Sequence, residues 1–230
     1  MQTPGEKKLI AVLAEAVSAV QASGGTPHIL NVGAAKSTVL ENSVAKLIAN
    51  TNFVCDRADI DDCMVSEPWV GKCFTAPVEE MPQAKSGDYD VVFANYVFEH
   101  INDLDKAINE LKRILKPGGL FIVASPNPSA PEFLLARFTP LWFHQVIKGV
   151  ADGHRAYRTT YLFPSLESLA RRFKRHGFSV IDKEYYAFTF GYLHPYPIIK
   201  TLSKVYDAIV RSIASKTIMG NACFVFKKNS

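Results

Sequence analysis

The segment Asn31-Val32-Gly33-Ala34-Ala35-Lys36-Ser37 follows a short apolar run, His28–Val32, and leads into a helically patterned stretch, Ser37–Ala49. A glycine at such a strand-to-helix turn lets the backbone approach a ligand closely, and the helix N-terminus offers free N–H groups to it. A nucleoside-bearing cofactor belongs there. Asp56 lies 23 residues after Gly33 and closes a second apolar run, Asn52–Cys55. A carboxylate at the end of a second strand can accept hydrogen bonds from both ribose hydroxyls. Its plainer alternative is a cap on the following segment. His100 is the obvious titratable group near a presumed transfer point, since an imidazole takes a proton near neutral pH. Its rival role is to hold its turn through hydrogen bonds. His144 stands in a later aromatic-rich segment and is the second candidate for proton transfer.

These residues need a frame to bring them together, and periodicity supplies one. Glu6–Ala22 carries Leu9, Leu13, Ala16, Val17 and Val20 on one helical face and ends at Gly24-Gly25. Strands follow at His28–Val32 and Asn52–Cys55, and a weaker one at Lys72–Thr75 before Pro77. Asp90–Asn95 is a fourth apolar strand. Leu104, Ile108, Leu111 and Leu115 mark a helix, which Lys116-Pro117-Gly118-Gly119 stops as a turn before the strand from Leu120. The prolines at 126, 128 and 131 take the chain out of the sheet. Ser165 caps a helix bearing Leu166, Leu169, Ala170 and Phe173, and Phe178–Ile181 is a sixth strand. Residues 197–214 form an amphipathic helix whose Ile198, Ile199, Leu202, Val205, Tyr206, Ile209 and Ile213 are expected to pack on the domain. Ala222–Phe226 closes a seven-stranded, doubly wound, mostly parallel α/β sheet.

The run Asn95-Tyr96-Val97-Phe98-Glu99-His100-Ile101, followed by a helix and Leu115-Lys116-Pro117-Gly118-Gly119, resembles the fourth and fifth strands of class I S-adenosylmethionine-dependent methyltransferases. The resemblance is good over residues 28–125 and covers the remainder only in layout. It implies S-adenosylmethionine as cofactor, with S-adenosylhomocysteine as product. Asn31, Gly33 and Ala34 would then form the cofactor turn, and Asp56 would hold the ribose. Val78 would pack on the adenine, Glu79 or its backbone would meet the exocyclic amine, and Asn95 and Tyr96 would border the methionine end. The family's turn usually reads acidic-x-Gly-x-Gly-x-Gly. Here only Gly33 remains, and Asn31 replaces the acid that helps hold the cofactor's ammonium group. Binding persists if Ala34 and Ala35 avoid positive φ, which is the expectation.

At 230 residues the chain fits a single domain, with a cofactor-binding half at 1–125 and a substrate-facing half at 126–230. Charge divides along the same line. Residues 1–136 hold 11 Lys/Arg against 17 Asp/Glu, and the rest 15 against 5. The basic half suits an anionic acceptor or a peripheral contact of helix 197–214 with anionic lipid, with a solvated basic face as the plain alternative. Dispersed arginines without a recognisable RNA module argue against nucleic acid. The four cysteines lack CxxC spacing, and no ligand cluster suits a metal, so reduced thiols in a cytoplasmic protein are expected. No apolar run approaches the ~18 residues of a spanning helix, and the N-terminus lacks a signal peptide's apolar centre. Ala35-Lys36-Ser37-Thr38 lacks the glycines of a P-loop. Residues 126–163 and 185–196, rich in Phe, Trp, Tyr, His and Arg, supply the acceptor pocket.

The reading is methyl transfer to a small molecule, directed to oxygen. The resemblance suggests the hydroxyl of a glycan, a lipid-linked compound or a secondary metabolite. A catalytically silent relative acting as a binding module is the rival, and RNA methylation, suggested by the basic C-terminal part, is a third reading.

Overall fold

The computed structural model describes residues 2–131, 159–187, 197–213 and 218–230. Helix α1 (Pro4–Ala22) starts at a capping box. Thr3 Oγ1 accepts from the Glu6 N–H, the Glu6 carboxylate accepts from the Thr3 N–H, and Pro4 stands at the first helical position. Strand β1 (His28–Val32), helix α2 (Val39–Leu47), strands β2 (Val54–Asp59), β3 (Val70–Thr75) and β4 (Tyr89–Asn95) and helix α3 (Leu104–Ile114) follow. Strand β5 (Leu115–Pro126), helix α4 (Leu166–Arg175), strand β6 (Phe178–Tyr186), helix α5 (Pro197–Ile213) and strand β7 (Asn221–Lys228) complete the described elements.

The strands form one sheet in the order β3-β2-β1-β4-β5-β7-β6. The first five are parallel, and β7 runs antiparallel between β5 and β6. The sheet is therefore mixed, and both halves of the sequence contribute to it. Successive side chains alternate between its two faces. Ile29, Cys55, Phe93 and Ile122 meet Leu9, Leu13 and Val17 of α1 and Val44 of α2. Leu30, Val92 and Phe121 meet Leu104, Ile108 and Leu111 of α3 and Leu169 and Phe173 of α4. Phe173 anchors this second layer, stacked on Phe226 with ring centroids 4.1 Å apart. Strand order reverses at β1, whose neighbours are β2 and β4. The crevice beyond the carboxyl ends of β1 and β4 is where such sheets bind ligands.

Four expectations need correction. β2 runs on to Asp59, so Asp56 lies mid-strand rather than at its end. Lys116–Gly119 is a bulge within β5 rather than a turn before it: Tyr89 pairs with Leu115 and Val91 with Leu120, and Gly118 takes φ 75°. β6 extends through Tyr185 and Tyr186, which therefore belong to the sheet and not to the acceptor insert. α5 buries Ser203, Asp207 and Val210 and leaves Val205, Ile209 and Ile213 more than half exposed, so these three of the expected apolar residues do not pack inward.

At the sheet end remote from the crevice, polar groups on four strands interlock. Asp56 Oδ2 lies 3.0 Å from His28 Nε2 and accepts from the Tyr89 hydroxyl at 2.8 Å. Asp56 Oδ1 accepts from the Lys72 N–H at 2.6 Å. The hydrogen bond to Asp56 raises the His28 pKa above its ordinary value, against the effect of burial. Burial pushes Asp56 upward, but the bonds from His28, the Lys72 amide and Tyr89 outweigh it and leave the carboxyl below its usual range. The stability contributed by His28 is therefore full below the ordinary histidine pKa of ~6.5 and is lost as pH rises through the raised folded value. Asp56's contribution is present above ~4 and is lost as pH falls through its lowered value. His28→Gln should lower the unfolding free energy by about 1–3 kcal/mol at pH 5.5, and the deficit should shrink as pH rises towards 9. Denaturant titrations of both proteins across that range check it, and a pH-independent deficit would contradict the assignment.

Candidate functional site

The turn after β1 keeps one glycine for two reasons. Gly33 sits at φ 72°, and a Cβ on it would overlap the Val97 side chain. Ala35 also takes a left-handed backbone, φ 45°, which overturns the expectation that both alanines avoid positive φ. For a residue with a Cβ this conformation costs about 1–2 kcal/mol, so something must hold it.

Two strand residues do so. Asp59, at the end of β2, accepts from the Ala35 N–H at 2.8 Å. Arg57, fully buried, donates from one guanidinium nitrogen to the carbonyls of Ala34, Ala35 and Ser37 at 3.0, 3.2 and 2.8 Å. Its Nε reaches the Cys63 carbonyl at 3.3 Å, and its other terminal nitrogen pairs with the buried Glu41 of α2. The guanidinium also lies 5.9 Å from the Trp69 ring centroid. Burial pushes the Glu41 pKa up, and Arg57 and Asn31 only partly offset this. Asn31 Nδ2 donates to Glu41 Oε1 at 2.7 Å. This contact explains the amide at a position where the resembling family carries an acid: a carboxylate at 31 would face the Glu41 carboxylate in a dry interior.

A cleft of about 310 Å³ opens between this turn and the N-terminus of α1. Asn31, Gly33, Ala34 and Asn95 of the expected set line it, together with Ala35, Ser37, Gln2 and Glu6. Its volume is within the range of small-ligand sites, about 300–1,000 Å³. Tyr96 follows Asn95 at φ 56°, with its hydroxyl 3.2 Å from Thr3 Oγ1 and 3.0 Å from Asn221 Oδ1. It ties β4 to α1 and β7.

The remaining expected residues lie elsewhere. Asp56 faces away from the cleft, with its carboxylate engaged by His28, Tyr89 and Lys72. Val78 is buried in the α3/α4-side core. Glu79 accepts from the Asn102 N–H at 2.9 Å and so tethers the loop before α3. His100 ends the short 3-10 turn Phe98–His100 and does not line the cleft. That turn is fastened by Thr160, which donates to the Glu99 and Ile101 carbonyls. His144 lies outside the described residues. No group of three metal-ligating side chains occurs among the described residues. Asp59 and the Arg57–Glu41 pair were not legible as site residues, although Asp59 was available as the second acid in Asp56-Arg57-Ala58-Asp59.

The fold and crevice define a doubly wound nucleoside-binding class of α/β proteins. Within it, a family described as a methyltransferase domain matches residues 8–183, and the chain belongs to that family. A ubiquinone biosynthesis O-methyltransferase of Acinetobacter baylyi is 26% identical over 99 residues, 43% of this chain and 42% of that protein. The chain thus spans less than half the length of this curated relative. The crystal structure of the [4+2]-cyclase SpnF superposes with a TM-score of 0.57 at 18% identity, covering 94% of this chain and 80% of that one. The Haemonchus contortus phosphoethanolamine N-methyltransferase 2 bound to S-adenosyl-L-methionine gives a TM-score of 0.57 at 16% identity, covering 94% and 52%. These structural likenesses concern the fold.

Asn31→Asp should destabilise the protein by about 3 kcal/mol at pH 8, because two carboxylates would compete for one buried guanidinium. The loss should lessen on acidification as the two acids come to share a proton. Thermal melts of the variant at pH 8 and pH 5 check this, and unchanged stability at pH 8 would contradict the role given to Asn31.

Proposed function

We propose that the protein is an S-adenosylmethionine-dependent methyltransferase that methylates a small molecule at a hydroxyl oxygen. The observation that carries the reading is the turn Gly33–Ser37, fixed by Arg57 and Asp59 beside a cleft at the carboxyl ends of β1 and β4. The chain's own groups fit the cofactor. Asp59 is buried at the end of its strand; Ala35 and Asp61 each donate one N–H to its carboxylate. Each carboxylate oxygen accepts more than one hydrogen bond, so acceptor capacity is left for ribose hydroxyls. Asp59 therefore takes the role first expected of Asp56. Asn31 shapes the turn from behind through Glu41, while Gly33 and Ala34 present its wall. Val78 and Glu79 support the adenine side as core and loop tether, and Asn95 and Tyr96 close the methionine side.

Bound S-adenosylmethionine supplies an electrophilic methyl group on a sulfonium. The protein then has to align the acceptor and, for a hydroxyl, receive its proton. Among the described residues no histidine lines the cleft; His100 on the turn after β4 is the candidate base the described residues offer, and His144 lies outside them. The oxygen-directed reading draws on the O-methyltransferase relative. A lipid-linked acceptor is favoured by α5, where exposed Val205, Ile209 and Ile213 recur at four-residue spacing with exposed Lys204 and Arg211 nearby. Such a helix suits an anionic lipid surface. A catalytically silent binding module is the competing reading of the same cleft.

Calorimetric titration with S-adenosylmethionine and S-adenosylhomocysteine tests the proposal. Both should bind. Asp59→Ala should weaken them by roughly tenfold or more, the equivalent of about 1.5–3 kcal/mol for hydrogen bonds to a charged group, whereas Asp56→Asn should change stability more than affinity. Absence of heat with either ligand would overturn the cofactor reading. Binding without methyl transfer to any hydroxyl-bearing acceptor class would favour the silent module. For α5, more protein should sediment with anionic than with neutral vesicles, and the difference should fall with added salt. Equal, negligible sedimentation would remove the membrane contact.

A further inference from the structure

Glu6 is the only side chain with a formal charge among the described residues lining the cleft. It projects from the first turn of α1, and no cationic side chain among the described residues lines the cleft with it. Its Oε2 accepts from the Thr3 N–H at 2.7 Å, and its Oε1 accepts from Asn95 Nδ2 at 2.9 Å. An ionised carboxylate can only accept, so this bond fixes the Asn95 amide with its nitrogen towards Glu6. Asn95 Oδ1 is then left buried without a hydrogen-bond partner. Buried acceptors are nearly always satisfied, and one that is not calls for an explanation. Glu6 thus presents a carboxylate to the cleft, and Asn95, which also lines it, carries an acceptor that nothing in the ligand-free protein satisfies. Asn31, at the position of the family's acid, is committed to Glu41.

We propose that Glu6 is the counter-ion for the α-ammonium group at the amino-acid end of the cofactor, with Asn95 Oδ1 as its second acceptor. The inference rests on the cofactor reading above. An ammonium carries three donors on a compact positive charge. It satisfies the orphaned oxygen, and it neutralises the one charge in the cleft. The acid missing from β1 is thereby supplied by α1, through a helix whose capping box already orients the carboxylate.

Glu6→Gln separates this role from capping. Glutamine serves the capping box through its Oε1, and its Nε2 can donate to Asn95 Oδ1 once the Asn95 amide turns over. The ligand-free variant should therefore melt like the parent. Affinity is read by calorimetry for three probes: S-adenosylmethionine, with ammonium and sulfonium; S-adenosylhomocysteine, with ammonium alone; and 5′-methylthioadenosine, with neither. Glu6→Gln should weaken the first two by roughly tenfold or more and the third by less than twofold. Asn95→Ala should show the same pattern with a smaller loss. Unchanged affinity for all three would make Glu6 a cap only. Equal loss for all three would mean a deformed cleft, and loss confined to S-adenosylmethionine would turn the charge towards the sulfonium; each result overturns the assignment. Failure of the parent protein to bind any of the probes would instead remove the cofactor reading itself.

Discussion

The site depends on one buried ion pair, Arg57 with Glu41, both fully inaccessible to solvent. A buried pair is weak evidence for stability, because desolvating two charges offsets most of their attraction. Here the pair has a second consequence. Glu41 orients the guanidinium, and the guanidinium collects three carbonyls of a turn that lacks the glycines such turns use. Without those bonds Ala35 would relax out of its left-handed conformation. The turn backbone, whose Gly33 and Ala34 N–H groups are held by the Ala58 carbonyl, would then no longer present a fixed wall to the cleft. Trp69 and the Cys63 carbonyl complete the cage from the β2–β3 side, so the segment between those strands also bears on the cofactor wall.

The sheet's alternation explains how adjacent residues serve opposite ends of the molecule. Asp56 and Arg57 are neighbours in β2 and point to opposite faces. Asp56 joins His28 and Tyr89 on the α3/α4 side, near the start of the parallel strands. Arg57 points to the α1/α2 side and reaches the turn. Asp59 lies on the same side as Arg57, two residues on, at the end of the strand, where it meets the Ala35 amide.

That alternation also marks where sequence reasoning failed. Apolar periodicity was enough to locate the strands, the order of elements and the turn after β1, because core burial determines which residues repeat. Strand ends were less legible. Asp56 and Asp59 are both acids after an apolar run, and composition alone stops β2 at the first. The true end is three residues later, an odd step that moves the carboxylate to the other face. Lys116–Gly119 reads as a turn by residue type, yet β5 starts before it and absorbs it as a bulge. Asn31 looked like a lost acid because its partner Glu41 lies ten residues away on a different element. Tertiary pairing of that kind leaves no local pattern. The reverse holds for α5, where apolar spacing is clear but Ser203 and Asp207 are buried beside Val210 while Val205, Ile209 and Ile213 are exposed.

A glycine-rich turn is free to adopt its bound shape and is equally free to leave it. Replacing glycine by alanine narrows the conformations of the unfolded chain, but at Ala35 it also introduces left-handed strain. Arg57 and Asp59 oppose that strain with four hydrogen bonds between charged side chains and turn backbone. The result is a turn ordered before any ligand arrives, so less entropy is lost on binding. It also makes the cleft depend on Arg57 and Glu41, which do not line it. Substitution of Arg57 or Glu41 would act on the site through the backbone of Ala34–Ser37. The departures from the family's glycine pattern and the unusual buried pair are therefore two halves of one arrangement, in which interior side chains take over the conformational work of the missing glycines.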